Sequence, residues 1–131
     1  MALPQPDIEF LDARGLPYTV AEEANMTCVV FPGYALPPGY SAARADLLIR
    51  LSPGFPDIPP DMWWFSPSIA RDDGRGIPAT EHVETHLGRS WQRWSRHLSP
   101  GQWRSGTDDL RTYLAMIARE VQRAAAKETV A

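Results

Sequence analysis

The hydrophobic positions of the chain predict a helix near each of its ends. Residues 7–14 carry three apolar side chains ahead of Gly15, a spacing typical of a short helix that ends at a glycine C-cap. Over residues 110–121 apolar side chains recur at helical spacing, with arginines on the other side. Thr107 is predicted to cap this second helix, which is expected to fray after Ala126.

Four apolar runs between these helices predict the strands of a sheet. Their β-branched and aromatic content is typical of strands. The third run is apolar almost throughout, so we expect it in the centre of the sheet. The predicted strands are residues 18–23, 27–31, 45–51 and 62–65. A four-stranded antiparallel meander between a short N-terminal helix and a packed C-terminal helix is an α+β fold, and we expect one domain over residues 1–131 with a flexible tail at 127–131.

Proline, glycine and polar residues mark the connections. Pro32 and Gly33 are expected to end the second strand. Residues 66–80 are rich in Gly, Asp, Arg and Pro and predict a long surface loop. A short helix is predicted over residues 80–87, capped by a threonine and closed by a glycine. Residues 91–103 are too aromatic for a free loop but follow no regular pattern.

The connection at residues 55–60 is the stiffest of these. Each proline fixes φ and removes a backbone donor, so the segment cannot pair as a strand. One X-Pro bond is expected to be cis, because tight turns are where cis-proline occurs. The residues of this structural turn are Phe55, Pro56, Pro59 and Pro60.

Composition and charge narrow the function classes. The 131 residues are 44% hydrophobic and carry a net charge of −3, which favours a packed core and gives no basic face for nucleic acid. Cys28 is the only cysteine, which excludes an internal disulfide and a thiolate metal cluster. No run approaches the roughly 20 apolar residues of a membrane span. We therefore expect a soluble, cytoplasmic protein with no membrane partner, no nucleic-acid partner and no cofactor.

Several motifs resemble the ubiquitin-conjugating enzyme (UBC) fold. In that family an aromatic-Pro-x-x-Pro-Pro turn joins the third and fourth strands, and the fourth ends in an aromatic-x-Pro sequence. Over roughly residues 7–122 the chain resembles a bacterial branch of UBC-like proteins, family E. The motifs are Leu36-Pro37-Pro38-Gly39-Tyr40, Phe55-Pro56-Asp57-Ile58-Pro59-Pro60-Asp61-Met62, Phe65-Ser66-Pro67 and Trp91-Gln92-Arg93-Trp94-Ser95-Arg96-His97.

This resemblance implies a place in a bacterial ubiquitin-like modification system. The partners it implies are a ubiquitin-like protein, a ThiF-type activating enzyme and a JAB-type protease. An ordinary conjugating enzyme carries the activated C-terminus as a thioester on a cysteine that follows the fourth strand. Residues 66–90 contain no cysteine, and Ser66-Pro67-Ser68 stands where His-Pro-Asn is expected. The resemblance therefore implies a catalytically inactive homologue that binds a ubiquitin-like protein or its activating enzyme without forming a thioester.

An active carrier that uses another nucleophile is the main alternative. The acyl group could be carried by Cys28, or by Ser68 or Ser90 as an oxyester that needs a nearby base. His97 is the obvious base. The apolar run around Cys28 favours a buried structural thiol, since free cysteine is among the most buried residue types.

A small metal-dependent hydrolase is a minor alternative. His82 and His86 lie four residues apart, a spacing that can hold zinc on a helix, and His97 could be a third ligand. The order His-x-Glu-x-His differs from the metalloprotease motif His-Glu-x-x-His. An exposed polar helix face is the better interpretation, so no metal site is expected.

The densest group of candidate site residues lies at residues 91–97. Tryptophan and arginine are enriched at binding hot spots, and an arginine fork matches a carboxylate. His97 is the candidate catalytic residue, or a carboxylate ligand together with Arg93 or Arg96. The aromatic residues could instead pack the C-terminal helix onto the sheet. The candidate partner-binding residues are Trp91, Arg93, Trp94, Arg96 and His97.

Overall fold

Two helices and six strands form the part of the chain that the structure describes, residues 3–127 of a computed structural model. The helices are α1 (Gln5–Ala13) and α2 (Leu110–Ala124). The strands pair antiparallel in the order β1-β2-β3-β4-β6-β5, so the α+β prediction is confirmed but the predicted count of four strands is wrong. They are β1 (Thr19–Glu23), β2 (Met26–Ala35), β3 (Arg44–Leu51), β4 (Trp63–Ser66), β5 (Val83–His86) and β6 (Arg89–Trp94).

The apolar strand β3 lies inside the sheet, as its sequence predicts, between β2 and β4. The expectation that Pro32 and Gly33 end β2 is wrong, because the strand continues through a bulge between Phe31 and Tyr34. Gly33 has φ of +61°, which glycine tolerates, and its N–H donates to the Asp46 carboxylate at 2.8 Å. The Asp46 side chain thus accepts the Gly33 N–H in place of the strand partner that this N–H lacks at the bulge.

The helix predicted over residues 80–87 is a strand, β5, which forms a hairpin with β6. Leu87 and Gly88 make the two-residue turn with φ of +54° and +74°. Positive φ at both central residues is what the favoured hairpin turns require. Gly88 therefore closes a hairpin rather than a helix, and β6 takes up the first part of the aromatic segment that followed no pattern.

Helix α2 covers one face of the sheet. Its N-cap is Asp109 rather than Thr107, because Asp109 and Thr112 accept each other's backbone N–H groups in a capping box. The helix ends at Ala124, two residues before the expected end. Its predicted core positions are all buried: Leu110, Tyr113, Leu114, Ile117 and Val121.

Tryptophans from β4 and β6 form the floor on which α2 rests. Trp63 and Trp94 stack with ring centroids 6.0 Å apart, and Tyr113 meets Trp63 edge-on at 6.2 Å. The Tyr113 hydroxyl donates to the Met62 carbonyl at 2.7 Å. These aromatic contacts and this hydrogen bond set the distance between the helix and the sheet.

The sheet curls around a second, smaller cluster on its other face. Glu23 of β1 accepts the N–H of Leu87 at 2.7 Å and lies 3.6 Å from His86. These contacts join β1 and the tip of the β5–β6 hairpin, although β1 and β5 are the two edges of the sheet. The cluster enclosed by this curl consists of Cys28, Val30, Leu48, Trp64 and Trp91.

The proline-rich turn supports the segment between β6 and α2. Its Phe55–Pro56 bond is cis, as expected of one bond in this turn, and the Ser66–Pro67 bond is cis as well. Trp103 Nε1 donates to the Pro56 carbonyl at 2.8 Å, and the Phe55 and Trp103 rings lie 6.3 Å apart. The turn is therefore a docking point for the aromatic residue that precedes α2.

The long connection between β4 and β5 is anchored to the sheet at two buried isoleucines, Ile69 and Ile77. The Gln92 side chain accepts the Ile69 N–H at 3.0 Å and donates to the Ile69 carbonyl at 3.1 Å. The segment predicted to be a surface loop is thus held to the protein core at Ile69 and Ile77.

No helix within residues 3–127 is long and apolar enough to cross a membrane. Beyond Lys127, the tail predicted to be flexible lies outside the described residues.

Asp7 of α1 joins the two helices. Its buried carboxylate accepts the N–H of Leu110, the first residue of α2, at 3.1 Å. Burial raises the pKa of Asp7 above its ordinary value. Because the folded-state pKa is raised, the protonated carboxyl of Asp7 stabilises the fold, and it does so fully below the unfolded pKa of about 4. This stabilisation is lost as pH rises through the folded-state pKa.

We expect Asp7→Asn to be at least as stable as the parent chain at pH 7, because the amide carbonyl still accepts the Leu110 N–H without a buried charge. Asp7→Ala should lower the free energy of unfolding by about 1–3 kcal/mol, because that N–H loses its partner. Guanidinium unfolding from about pH 4 to pH 8 measures both, and the advantage of the asparagine variant should grow with pH.

The exposed Glu9 on the same helix supplies the control, since Glu9→Ala should change little. Equal losses for the Asn and Ala variants at pH 7 would mean that the negative charge of Asp7 itself holds the helices together.

Candidate functional site

Strand β6 directs the two predicted tryptophans to opposite faces of the sheet, since successive residues of a strand alternate. Trp91 belongs to the smaller cluster, whereas Trp94 lies in the main core below α2. Their exposed fractions are 1% and 0%. Trp91 Nε1 donates to the His86 carbonyl and Trp94 Nε1 to the Gln92 side chain. Neither ring is available to a partner in this conformation.

The same alternation separates Arg93 from the other basic residues of the segment. Its guanidinium donates to Glu84 at 2.9 Å and to the Ser95 hydroxyl at 3.0 Å. Glu84 also accepts from Trp64, whose ring lies in the smaller cluster. A carboxylate site built from Arg93 and His97 is therefore not assembled.

Arg96 and His97 instead meet helix α2 at an open cleft of about 290 Å³. Residues 96–98, which follow β6, form one wall, and α2 residues from Tyr113 to Arg123 form the other. We call this site the α2 cleft. Its lining residues are Trp63, Arg96, His97, Leu98, Gln102, Tyr113, Met116, Arg119, Glu120 and Arg123.

Glu120 organises the charges of the α2 cleft. It accepts hydrogen bonds from Arg96 and Arg123, each at 2.7 Å. These bonds, that of Arg123 foremost, hold the pKa of Glu120 below its ordinary value despite its burial. Arg96 also donates to the Pro78 carbonyl at 2.8 Å, so its guanidinium is held from two sides.

His97 is oriented by Asp61, an acidic residue two positions before β4. Its Nδ1 lies 2.6 Å from Asp61 Oδ1, and the two side chains are 64% and 58% exposed. An ion pair this exposed contributes little to stability, so its main effect is on the direction of the ring. The contact engages Nδ1, and the His97 side chain lines the cleft.

Cys28 lies away from the α2 cleft, on the opposite face of the sheet. Its exposed fraction is 0%, and it packs in the smaller cluster with Trp64 and Trp91. Burial raises the pKa of the Cys28 thiol, although the neighbouring Arg50 partly opposes that shift. The thiol therefore has neither the access nor the thiolate character of a nucleophile.

The two candidate serines are exposed, but the strand register places them far from His97. His97 contacts Asp61 before β4 begins, whereas Ser68 follows the other end of that strand. At about 3.3 Å per residue this is a separation on the order of 15 Å or more. Ser90 lies near the start of β6 and pairs with Thr85, also away from His97. The structure does not bring either serine to the proposed base.

The histidines do not form the helical pair that a zinc site would need. His86 is on β5 between Glu84 at 3.0 Å and Glu23 at 3.6 Å, and His82 is exposed just before that strand. Within residues 3–127 no group of three or more possible metal ligands comes together. The hydrolase hypothesis thus loses the helix on which its spacing depended.

Several residues of the α2 cleft, and Asp61 beside it, are missing from the sequence-based candidates. Asp61 meets the lining residue His97 across 36 positions, a separation that no local pattern reveals. Glu120 and Arg123 were detectable as an i, i+3 pair of opposite charge on a helix. The position of Trp63 and Arg119 in the cleft depends on how α2 lies on the sheet.

Comparison with known proteins agrees with the motifs. The family model of prokaryotic E2 family E matches residues 3–124. No curated protein and no solved structure matches the chain at a significant level. The matched region includes both helices, all six strands and every residue of the α2 cleft.

We expect Cys28 to resist thiol reagents in the folded protein, because a buried thiol with a raised pKa supplies little thiolate. Ellman's reagent should react at least about 100-fold more slowly than with a free thiol, and fully after unfolding in guanidinium.

A matched control is the double variant Cys28→Ala, Ser68→Cys, which moves the single thiol to an exposed position in the loop after β4. That thiol should react at once. Rapid labelling of Cys28 in the native parent chain would contradict the buried position.

Proposed function

Because the chain belongs to the prokaryotic E2 family E, we propose that it serves a bacterial ubiquitin-like conjugation system as a binding partner that forms no thioester. Family membership suggests the role in such a system. The finer role is argued from the position of the thiol and from the α2 cleft.

The observation that carries the proposal is the burial of Cys28. Thioester transfer needs a thiolate that a partner's activated C-terminus can reach. Cys28 is fully buried with a raised pKa, and it is the only cysteine of the chain. Transfer through it would require opening the curled sheet, so non-covalent binding is the role that fits the folded chain.

The partner that we propose is a ubiquitin-like protein, or the ThiF-type enzyme that activates it. A JAB-type protease is a further candidate from the same kind of system. The α2 cleft supports the first choice, because Arg96 and His97 are held in place and face an open space near the chain surface. Preorganised groups lose less entropy on binding than mobile ones.

An acyl carrier that uses a serine is the second candidate, favoured by one observation. Asp61 binds Nδ1 of His97 as the orienting acid of a catalytic base would, so Nε2 is the ring nitrogen that would act as the base. Neither Ser68 nor Ser90 lies within reach of that nitrogen, as the strand register shows. The non-covalent role therefore remains the better fit.

We expect the parent chain and Cys28→Ala to bind the ubiquitin-like protein with equal affinity, because the thiol takes no part. His97→Ala should bind more weakly, because it removes an exposed side chain at the cleft. Sizing chromatography and titration calorimetry with the ubiquitin-like protein, the activating enzyme and the protease measure this.

His82→Ala is the control, since that histidine is exposed outside the cleft. The absence of binding to all three proteins would overturn the proposed function. Binding lost in Cys28→Ala, with its fold intact by circular dichroism, would return the thiol to the mechanism.

A further inference from the structure

We propose that the α2 cleft is a receptor for a free C-terminal carboxylate at the end of an extended peptide. This inference rests on the proposed function, in which the peptide end belongs to the ubiquitin-like partner. It assigns the ligand chemistry of the cleft, and it uses three side chains that the sequence did not single out: Trp63, Arg119 and Glu120.

The charges of the cleft favour an anion. Three arginines line it, and among the described lining residues Glu120 is the only acidic one. Arg96 and Arg123 both pair with Glu120. Arg119 lines the cleft one residue before Glu120 and forms no ion pair within the described part of the chain. Asp61 is the acidic neighbour of His97 at the edge of the cleft, so within residues 3–127 the guanidinium of Arg119 is the positive charge of the cleft left without an ion-pair partner.

A buried donor without a partner points in the same direction. Trp63 forms part of the cleft wall and is 3% exposed, yet its indole N–H finds no hydrogen-bond partner among residues 3–127. A buried N–H that lacks an acceptor costs about 1–3 kcal/mol. The other three buried indoles of the same sheet region, Trp64, Trp91 and Trp94, do have acceptors. A carboxylate oxygen in the cleft is the kind of acceptor that Trp63 lacks.

The donors at the mouth of the cleft are fixed before any ligand arrives. Arg96 is held by Glu120 and by the Pro78 carbonyl, and its guanidinium lies 4.9 Å from the centre of the Trp94 ring. His97 is turned by Asp61. Fixed donors suit the recognition of a planar carboxylate, because little side-chain entropy is lost on binding.

The size and the apolar parts of the cleft favour a peptide end over a phosphate ligand. Its volume of about 290 Å³ is at the lower limit of small-molecule pockets, which begin near roughly 300 Å³. Leu98 and Met116 give it apolar walls for the residues that precede the carboxylate. The wall from α2 runs from Tyr113 to Arg123 and includes none of the first three residues of the helix, whereas phosphate sites use helix N-termini.

The test uses the acetylated tetrapeptide Ac-Ala-Leu-Gly-Gly with a free carboxylate, the same peptide as a C-terminal amide, and inorganic phosphate. The ¹H–¹⁵N spectrum of the full chain reports on the five indole N–H groups, and Trp63→Phe assigns the signal of Trp63. We expect the free acid to shift the Trp63 signal and the amides of residues 96–98. The amide peptide should bind at least about tenfold more weakly, because it lacks the charged acceptor.

Arg119→Gln should weaken binding of the free acid about fivefold, which is the effect of losing one partly exposed charge pair. Arg75→Gln is the matched control, because it removes the same charge from an exposed loop position outside the cleft. Both positions are on the surface, so both variants should fold.

Equal binding of acid and amide, or no binding of either, would overturn the inference, as would phosphate binding tighter than the free acid. The proposed function is tested separately with the whole ubiquitin-like protein. If that protein binds while the peptides show no preference for the acid, the carboxylate site falls and the proposed function stands. If the peptides show the preference while no partner protein binds, the carboxylate site stands and the proposed function falls.

Discussion

The packing of α2 on the stacked pair Trp63 and Trp94 is the contact on which the rest of the structure depends. Tyr113 touches Trp63 edge-on and ties the helix to the chain just before β4 through the Met62 carbonyl. Because α2 rests at this distance from the sheet, its side chains from Tyr113 to Arg123 meet residues 96–98 and leave the α2 cleft open between them. The aromatic floor thus stabilises the fold and shapes the candidate site.

Burial on both faces of the sheet decides which chemistry the chain can offer. The face below α2 holds the larger core, and the curl of the sheet encloses the smaller cluster on the other face. Glu23 links the two ends of that curl through the Leu87 N–H and His86. Cys28 lies inside the curl, so the only thiol of the chain is a packing residue.

The two helices and the order of the first four strands were predictable, because their apolar residues follow regular spacings. The core stripe of α2 and the central place of β3 are the clearest cases. The β5–β6 hairpin was missed, since the polar stretch from Thr80 to Gly88 has the cap residues of a helix, and only the backbone of Leu87 and Gly88 shows the turn. The strand from Thr27 was expected to stop at Pro32. It continues through a bulge that is supported by the Asp46 carboxylate, and this contact spans 13 positions that the local sequence does not connect.

The candidate site was predicted in part. Residues 91–97 were identified by their composition, and Arg96 and His97 do line a cleft. Composition could not show that the strand alternation buries Trp91 and Trp94 on opposite faces and turns Arg93 away. The residues that complete the cleft come from α2 and from β4, and they meet only after the helix has packed on the sheet.

The most direct test of a role without a thioester is the intact mass of the chain after incubation with the ubiquitin-like protein, its activating enzyme and ATP. An unchanged mass, together with co-elution of the chain and the ubiquitin-like protein on a sizing column, is the expected result. A mass increase equal to the ubiquitin-like protein would contradict it. Release of that adduct by thiols or by hydroxylamine alone would then distinguish a carrier cysteine from a carrier serine.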